Sequence, residues 1–330
     1  MQKNDLSRRE RVLKCLDIAN QRGVEIGPLD RPIISRSDGD ILYLDHLNSD
    51  NLKLKYALNA EAGLVNVEKL VAVDLVADGR KFKDILGDRG PVDYVIASHV
   101  IEHIPNPIGW LCELAHGMVE DGCVSLIIPD RRFTFDHFRR PSNTGDLVDA
   151  FVQDRNTATP GQIFDYVANV AFVDPELVWA GKIIDRQPVP GHMPTEAMRL
   201  ARMHHAEKSA PDIHCSVFSV HEFTEVLRQL ITLDLLPFEV AALSSPVRGE
   251  TDFFVTLRKS SAPASERAKT VPVPIQEVFA PEEGETEPEP VQHAIVIPFS
   301  VSLVRNLQWF GKLIPRRFKN YIKVNFLRQI

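Results

Sequence analysis

The sequence predicts an α/β protein built on a mostly parallel seven-stranded sheet with helices on both faces. Three observations predict it. Short apolar runs recur along the first 130 residues and alternate with segments of helical periodicity. Buried strands of parallel sheets read as continuous apolar runs, and their alternation with helices implies βαβ units. The 330-residue chain is 44% hydrophobic, enough for a sizeable core. Two later apolar runs are joined by a connection short enough for a hairpin, so an antiparallel last strand should lie beside the parallel ones.

Leu6 to Asn20 spaces Val12, Leu13, Leu16 and Ile18 as an amphipathic helix does. Val24 to Gly27 is the first expected strand and Ile41 to Asp45 the second. Leu70 to Asp74 is the third, Tyr94 to Ala97 the fourth and Cys123 to Ile128 the fifth. Helical patterns occupy Ser49 to Leu58, Phe82 to Leu86 and Ile108 to Val119, the last followed by Gly122 as a stop. Residues 138–215 interrupt the alternation with Asp, Arg, His and Pro. They read as an insertion over the strand ends, with helical stretches at Gly145 to Asp154 and Gln162 to Phe172. The sheet pattern resumes with a helix at His221 to Leu230 and strands at Phe238 to Leu243 and Phe253 to Leu257.

Residues 1–259 thus form one domain containing the insertion. Residues 260–294 are rich in proline and glutamate and are expected to be a disordered linker. Residues 295–330 carry seven basic residues, from Arg305 to Arg328, around an apolar helical face of Leu303, Leu307, Phe310 and Ile314. That pattern fits a basic amphipathic tail, suited to an anionic membrane surface or a protein partner.

A net charge of −7 argues against bulk nucleic-acid binding. Cys15, Cys112, Cys123 and Cys215 show no Cys-x-x-Cys spacing, which favours a reducing compartment over a disulfide framework. Met1 to Ala19 has no apolar core, so no signal peptide is expected, and no run reaches the ~20 apolar residues of a membrane span. A cytoplasmic protein, peripheral to the inner membrane if the tail attaches it, is the expectation.

Ligands of open α/β sheets sit beyond the carboxyl ends of the strands. The fourth strand runs there into Ser98 and His99, and a helical pattern opens with Glu102 and His103. Gly27 ends the first strand and permits close backbone approach, or simply makes a turn. Glu25 is a carboxylate inside a strand and needs a partner there. Asp45 ends the second strand, where it suits ribose hydroxyls or caps a helix. Asp78-Gly79 follows the third, to meet an adenine or to turn the chain. Gly27-Pro28-Leu29-Asp30-Arg31-Pro32 is not the G-x-G-x-x-G loop of a hydride-transfer dinucleotide site.

Together these residues resemble the class I S-adenosylmethionine-dependent methyltransferases. Glu25-Ile26-Gly27, Asp45, Asp78 and Val92 to His103 match that family's order, as do Leu111 to Val119, Gly122 and the fifth strand. The resemblance covers residues 20–135 and, more loosely, 212–258. It extends to the branch found alongside glycosyltransferases of bacterial surface polysaccharides, through Glu-Ile-Gly-Pro-Leu and Ser-His-Val-Ile-Glu-His. The family's Gly-x-Gly-x-Gly is absent, with Pro28 and Leu29 in its middle.

The resemblance implies a Rossmann-like fold, S-adenosyl-L-methionine as cofactor, and O-methylation of a sugar, glycan or lipid-linked saccharide. It places Glu25 and Gly27 at the cofactor's amino-acid end, Asp45 on the ribose, Asp78 on the adenine, and Ser98 and His99 near the sulfonium. His99 and His103 are the candidates for taking a hydroxyl proton, because imidazole titrates near neutrality. Asp130, Arg131, Arg132 and Tyr166 would face the acceptor, the arginines suiting a phosphate or carboxylate. The alternative is a non-catalytic protein of the same fold that binds a partner. No metal site is expected from His192, His204, His205, His214 and Cys215, whose spacing matches no His-Glu-x-x-His motif.

Overall fold

The structure is a computed structural model and describes residues 6–60, 65–182, 184–189, 191–209 and 211–273. Helix α1 (Arg8–Leu13) opens on a capping box in which Ser7 and Glu10 bond reciprocally, and it is shorter than the periodicity predicts. Strands β1 (Arg22–Ile26) and β2 (Asp40–Asp45) follow, then α2 (Ser49–Ala60), β3 (Leu75–Val76), α3 (Phe82–Leu86), β4 (Val92–Ser98), α4 (Pro107–His116) and β5 (Met118–Pro129). The seven sheet strands are completed near the end of the domain by β8 (Phe238–Ser244) and β9 (Asp252–Lys259), after α9 (Val220–Thr232).

The strand order is β3-β2-β1-β4-β5-β9-β8. The first five strands are parallel, and β9 runs antiparallel to both β5 and β8. The chain therefore steps outward from β1 to β3, then returns to β4 on the other side of β1. That reversal is the topological switch point, where ligands of open α/β sheets bind. Register brings Ile26 beside Leu44 and Ala97, so Gly27, Asp45 and Ser98 come together at its carboxyl edge.

Both sheet faces are covered. On one, Val24, Val95, Ala97 and Leu126 pack against Ile108, Leu111 and Leu114 of α4 and Phe223, Val226 and Leu227 of α9. On the other, Tyr43, Tyr94, Ile96, Ile127 and Phe254 pack with Val12 of α1 and Ile34. This two-sided burial is why the strands read as unbroken apolar runs.

Besides α1, other predicted elements differ; the helix before Gly122 ends at His116, and Gly122 itself lies inside β5. The third strand is Leu75–Val76 rather than Leu70 to Asp74. The N–H groups of Val71 and Val73 go to the Leu29 carbonyl and the Ser49 hydroxyl, and only the Asp74 N–H at the end of that run reaches β2, at the Tyr43 carbonyl. The helical pattern expected from Glu102 is only a 3₁₀ turn, Ile101–His103. The start of the expected linker is folded: α10 (Ala264–Arg267) docks through Arg267, which is buried and donates to the carbonyls of Ala262 and Leu236. The rest of the linker and the tail, 274–330, lie outside the described residues.

The insertion contains α5 (Thr144–Val152), α6 (Pro160–Asn169), β6 (Ala171–Phe172), α7 (Pro175–Trp179), β7 (Gln187–Pro188) and α8 (Pro194–Glu207). It has a core of its own, with Phe135, Ile163, Tyr166, Val167, Ala197 and Ile213 packed together. No helix among the described residues is long and apolar enough to cross a membrane.

Candidate active site

Gly27 sits at φ +67, a conformation that favours glycine, and its N–H donates to the Leu44 carbonyl at 2.9 Å. A Cβ added there would meet only Val100 Cγ2, at 3.8 Å. Asp45 is 3% exposed, and its Oδ1 accepts from the His46 N–H at 2.7 Å. A carboxylate has about four lone-pair positions, so acceptor capacity remains for a ligand diol. Ser98 is half-buried at the last position of β4.

Glu25 is bonded to the backbone. Its two oxygens accept from the N–H groups of Ile33 (2.8 Å) and Ile34 (3.1 Å), bracing the loop between β1 and β2. Burial pushes its pKa up to about 7 against the opposing pull of those two hydrogen bonds. The folded value exceeds the ordinary 4.5, so the folded state favours the protonated form. Its contribution to stability is fully present below pH 4.5 and is lost as pH rises through about 7. The loss amounts to about 3 kcal/mol by linkage. Urea unfolding at pH 5 and pH 8 should show wild type losing that much more than Glu25→Gln. Equal losses would mean that Glu25 titrates normally.

Asp78 lies on an exposed turn beyond β3, with its carboxylate held by Arg80 Nε at 2.8 and 3.0 Å.

His99 has φ +54, an uncommon conformation for a residue with a Cβ, and its N–H donates to the Ile127 carbonyl. Glu102 Oε1 lies 3.5 Å from its Nδ1, and Asp252 Oδ1 lies 3.4 Å from its Nε2. Burial lowers its pKa, but Asp252 and Glu102 together outweigh burial and lift it to about 9. Each ring nitrogen of His99 thus faces a carboxylate, at 3.5 and 3.4 Å. Burial pushes the Asp252 carboxyl up, but His99 and Arg8 more than reverse this and hold it below the usual range.

Around Glu102 a second set of groups converges. Glu102 is 1% exposed, and neither carboxylate oxygen has a hydrogen-bond partner. His103 Nδ1 stands 2.9 Å from Asp212 Oδ1, off the hydrogen-bonding line. His214 Nδ1 lies 2.5 Å from Asp136 Oδ2, and its Nε2 is buried without a partner. The rings of His103 and His214 meet edge-on at 4.8 Å. Arg139 extends the network, donating to Asp136, Asp165 and the His214 carbonyl. Of the other insertion groups weighed as ligands, His204 bonds Ser209, His205 is exposed and His192 packs near the Tyr166 ring. Burial pushes the Cys215 thiol up to about 12.

Sequence reasoning missed Asp252, Asp212, Asp136 and His214 as neighbours of the fourth-strand end. One was open to inference: an antiparallel β9 begins at the carboxyl edge, so its first residue, Asp252, had to lie there.

The expected acceptor residues each have protein partners. Asp130 is fully buried, accepting from the N–H groups of Arg132 and Val220 and pairing with the Arg132 guanidinium. Arg131 forks onto Glu222 and donates to the carbonyls of His137 and Arg139. These groups tie β5 to α9. Tyr166 is buried in the core of the insertion, under the Arg139 guanidinium and edge-on to Phe135. Local sequence could not reveal that the charges are already paired. A polar cleft of about 400 Å³ does open nearby, between α5, α6 and residues 215–217. Arg139, Arg140, Ser142, Thr159, Gln162 and Asp165 are among its lining.

No protein-family model and no curated protein matches the chain. Solved structures do. A carbon methyltransferase, CurJ, aligns at 11% identity and TM-score 0.35 over 74% of this chain and 50% of that one. A SAM-dependent methyltransferase from Aquifex aeolicus aligns at 12% identity and TM-score 0.36, over 76% and 89%. The mitomycin 7-O-methyltransferase MmcR aligns at 12% identity and TM-score 0.35, over 76% and 53%. The chain spans about half the length of the first and third of these proteins.

Proposed function

We propose that this protein transfers the methyl group of S-adenosylmethionine to a hydroxyl of a sugar or glycan intermediate. The observation that supports it best is the pairing, at the switch point of the sheet, of a buried Asp45 carboxylate with the left-handed turn at Gly27. A nucleoside with a charged tail needs both: an acceptor pair for its ribose diol and a stretch of bare backbone for close approach. The residues fit that group, since nothing lies within 3.8 Å of the position a Gly27 Cβ would take. Bound there, the cofactor supplies an electrophilic methyl on a sulfonium. The chain's part is to hold the ribose at Asp45, to fix the β4 end through the His99 N–H, and to orient the acceptor. Methyl transfer is an in-line displacement in which the acceptor oxygen takes the methyl, S-adenosylhomocysteine leaves and the hydroxyl proton passes to water, so such positioning carries much of the rate.

A polyhydroxyl acceptor is favoured by the cleft beside α5 and α6, where hydroxyl, amide, guanidinium and carboxylate groups alternate. The basic segment 295–330 would hold the protein against an anionic membrane surface, bringing it to a lipid-linked saccharide. Equal pelleting with anionic vesicles, with and without residues 295–330, would remove the membrane from the reading.

Calorimetric titration with S-adenosylmethionine and S-adenosylhomocysteine tests the core of the proposal. Saturable binding of both, with a rise in Tm, is expected. No heat and no thermal shift at millimolar cofactor would leave a binding module of the same fold.

A further inference from the structure

We infer that Glu102, His103 and His214 form a site for a divalent transition metal, with zinc the best fit. One ligand-capable atom from each of the three residues lies within 4.8 Å of those of the others. Proximity alone would be weak, but three further features point the same way.

The first is unmet valence. Both oxygens of Glu102 and Nε2 of His214 are buried and accept no hydrogen bond, in residues only 1% exposed. A buried carboxylate left without donors is costly, and the weak approach of His99 Nδ1 at 3.5 Å reaches only one of its oxygens. A cation between these groups supplies what they lack.

The second is the outer shell. Metal-binding histidines usually give their other ring N–H to a carboxylate, which fixes the tautomer and ring orientation. Asp136 faces His214 Nδ1 at 2.5 Å and leaves Nε2 as the ligand atom. Asp212 Oδ1 stands 2.9 Å from His103 Nδ1, an ion-pair approach without hydrogen-bond alignment. Asp136 is in turn fixed by Arg139 at 2.8 Å.

The third is the donor set. Two imidazoles and one carboxylate are the ligands of open zinc sites, with a fourth position left for water or substrate. The donors also come from separate parts of the fold. Glu102 and His103 follow β4, while His214 closes the insertion. The Glu102 carbonyl already accepts from the N–H groups of Cys215 and Ser216 along that seam. An ion here pins the insertion to the end of β4, so its binding should stabilise the whole domain.

The test uses the full chain, stripped with a chelator and titrated with Zn²⁺ by calorimetry and with Co²⁺ by visible absorption, without S-adenosylmethionine. One ion per chain, tetrahedral Co²⁺ bands and a Tm raised by several degrees are expected. Glu102→Gln and His214→Asn should each weaken binding at least ~100-fold, and Asp136→Asn by roughly 10- to 100-fold, as for other outer partners. His103→Asn, at a partly exposed position, serves if the buried variants do not fold. His116→Asn, at an exposed position, should bind normally. Failure of wild type to bind, or equal Zn²⁺ affinity in wild type, Glu102→Gln and His214→Asn, would overturn the site and leave the cluster to water and its own charges. Because the readout is metal alone, its failure is separable from failure of the methyl-transfer reading.

Discussion

Replacing Asp45 by alanine should raise the dissociation constant for S-adenosylhomocysteine about 30- to 100-fold. The magnitude follows from the bonds lost. Two hydrogen bonds from a ribose diol to one carboxylate are each worth about 1.5–3 kcal/mol. Part of that returns when water fills the gap, leaving a net loss of about 2–3 kcal/mol. The fold should tolerate the change, because the protein contact at that carboxylate is local, to His46. Calorimetry gives the affinity, and circular dichroism verifies that the domain is intact. Asp45→Asn keeps one acceptor and should lie between wild type and alanine. An affinity that Asp45→Ala leaves within threefold of wild type would move the ribose elsewhere, most simply toward Asp78.

The edge on which this prediction stands was legible before any coordinates. Tyr94 to Ala97 is buried on both sheet faces and writes an unbroken apolar run, the runs at Val24 and at Val124 to Ile128 are interrupted only by the buried Glu25 and Ser125, and the residue ending each run marks the ligand edge. Gly27, Asp45 and Ser98 were found that way. Leu70 to Asp74 has a similar apolar look but does not pair as a strand, because the Val71 and Val73 N–H groups go to the β1–β2 loop and a serine hydroxyl, and only the Asp74 N–H reaches β2. Apolarity records burial; it does not record where an N–H goes.

The chemistry at the end of β4 was less legible, for a different reason. His99, Glu102 and His103 are neighbours in sequence, but what each does is set by Asp252, Asp212, Asp136 and His214, which arrive from the last strand and the insertion. A histidine between two carboxylates and a histidine with a free lone pair look alike in one dimension. The same holds for Arg131 and Arg132. A pair of arginines after a strand suggests an anion site, yet Glu222 and Asp130 already fill their forks.

Arg139 carries the largest expected effect on stability. Its side chain and that of Asp136 are each only 2% exposed, and it donates at 2.8 Å to Asp136, at 2.8 Å to Asp165 and at 2.9 Å to the His214 carbonyl. Arg139→Met keeps most of the volume and removes the charge. Asp136 is then a buried carboxylate that has lost its guanidinium, and breaking such a pair from one side costs about 3–5 kcal/mol. Asp165 is 31% exposed, so solvent screens its half of the network, and Asp165→Asn should cost less than about 1 kcal/mol. The contrast matters more than either value, because both substitutions sever a bond to the same guanidinium. With Trp110 and Trp309 replaced by phenylalanine, Trp179 reports on the insertion, stacked on Phe133 at 4.2 Å, while far-ultraviolet circular dichroism follows the whole domain. In wild type the two urea transitions should coincide. In Arg139→Met the fluorescence transition should move to lower urea first, since the insertion loses its charged anchor while the sheet keeps both apolar faces. A loss under about 1 kcal/mol with coincident transitions would mean that the apolar core around Ile163, Val167 and Ala197 holds the insertion, and that the buried charges serve the site alone.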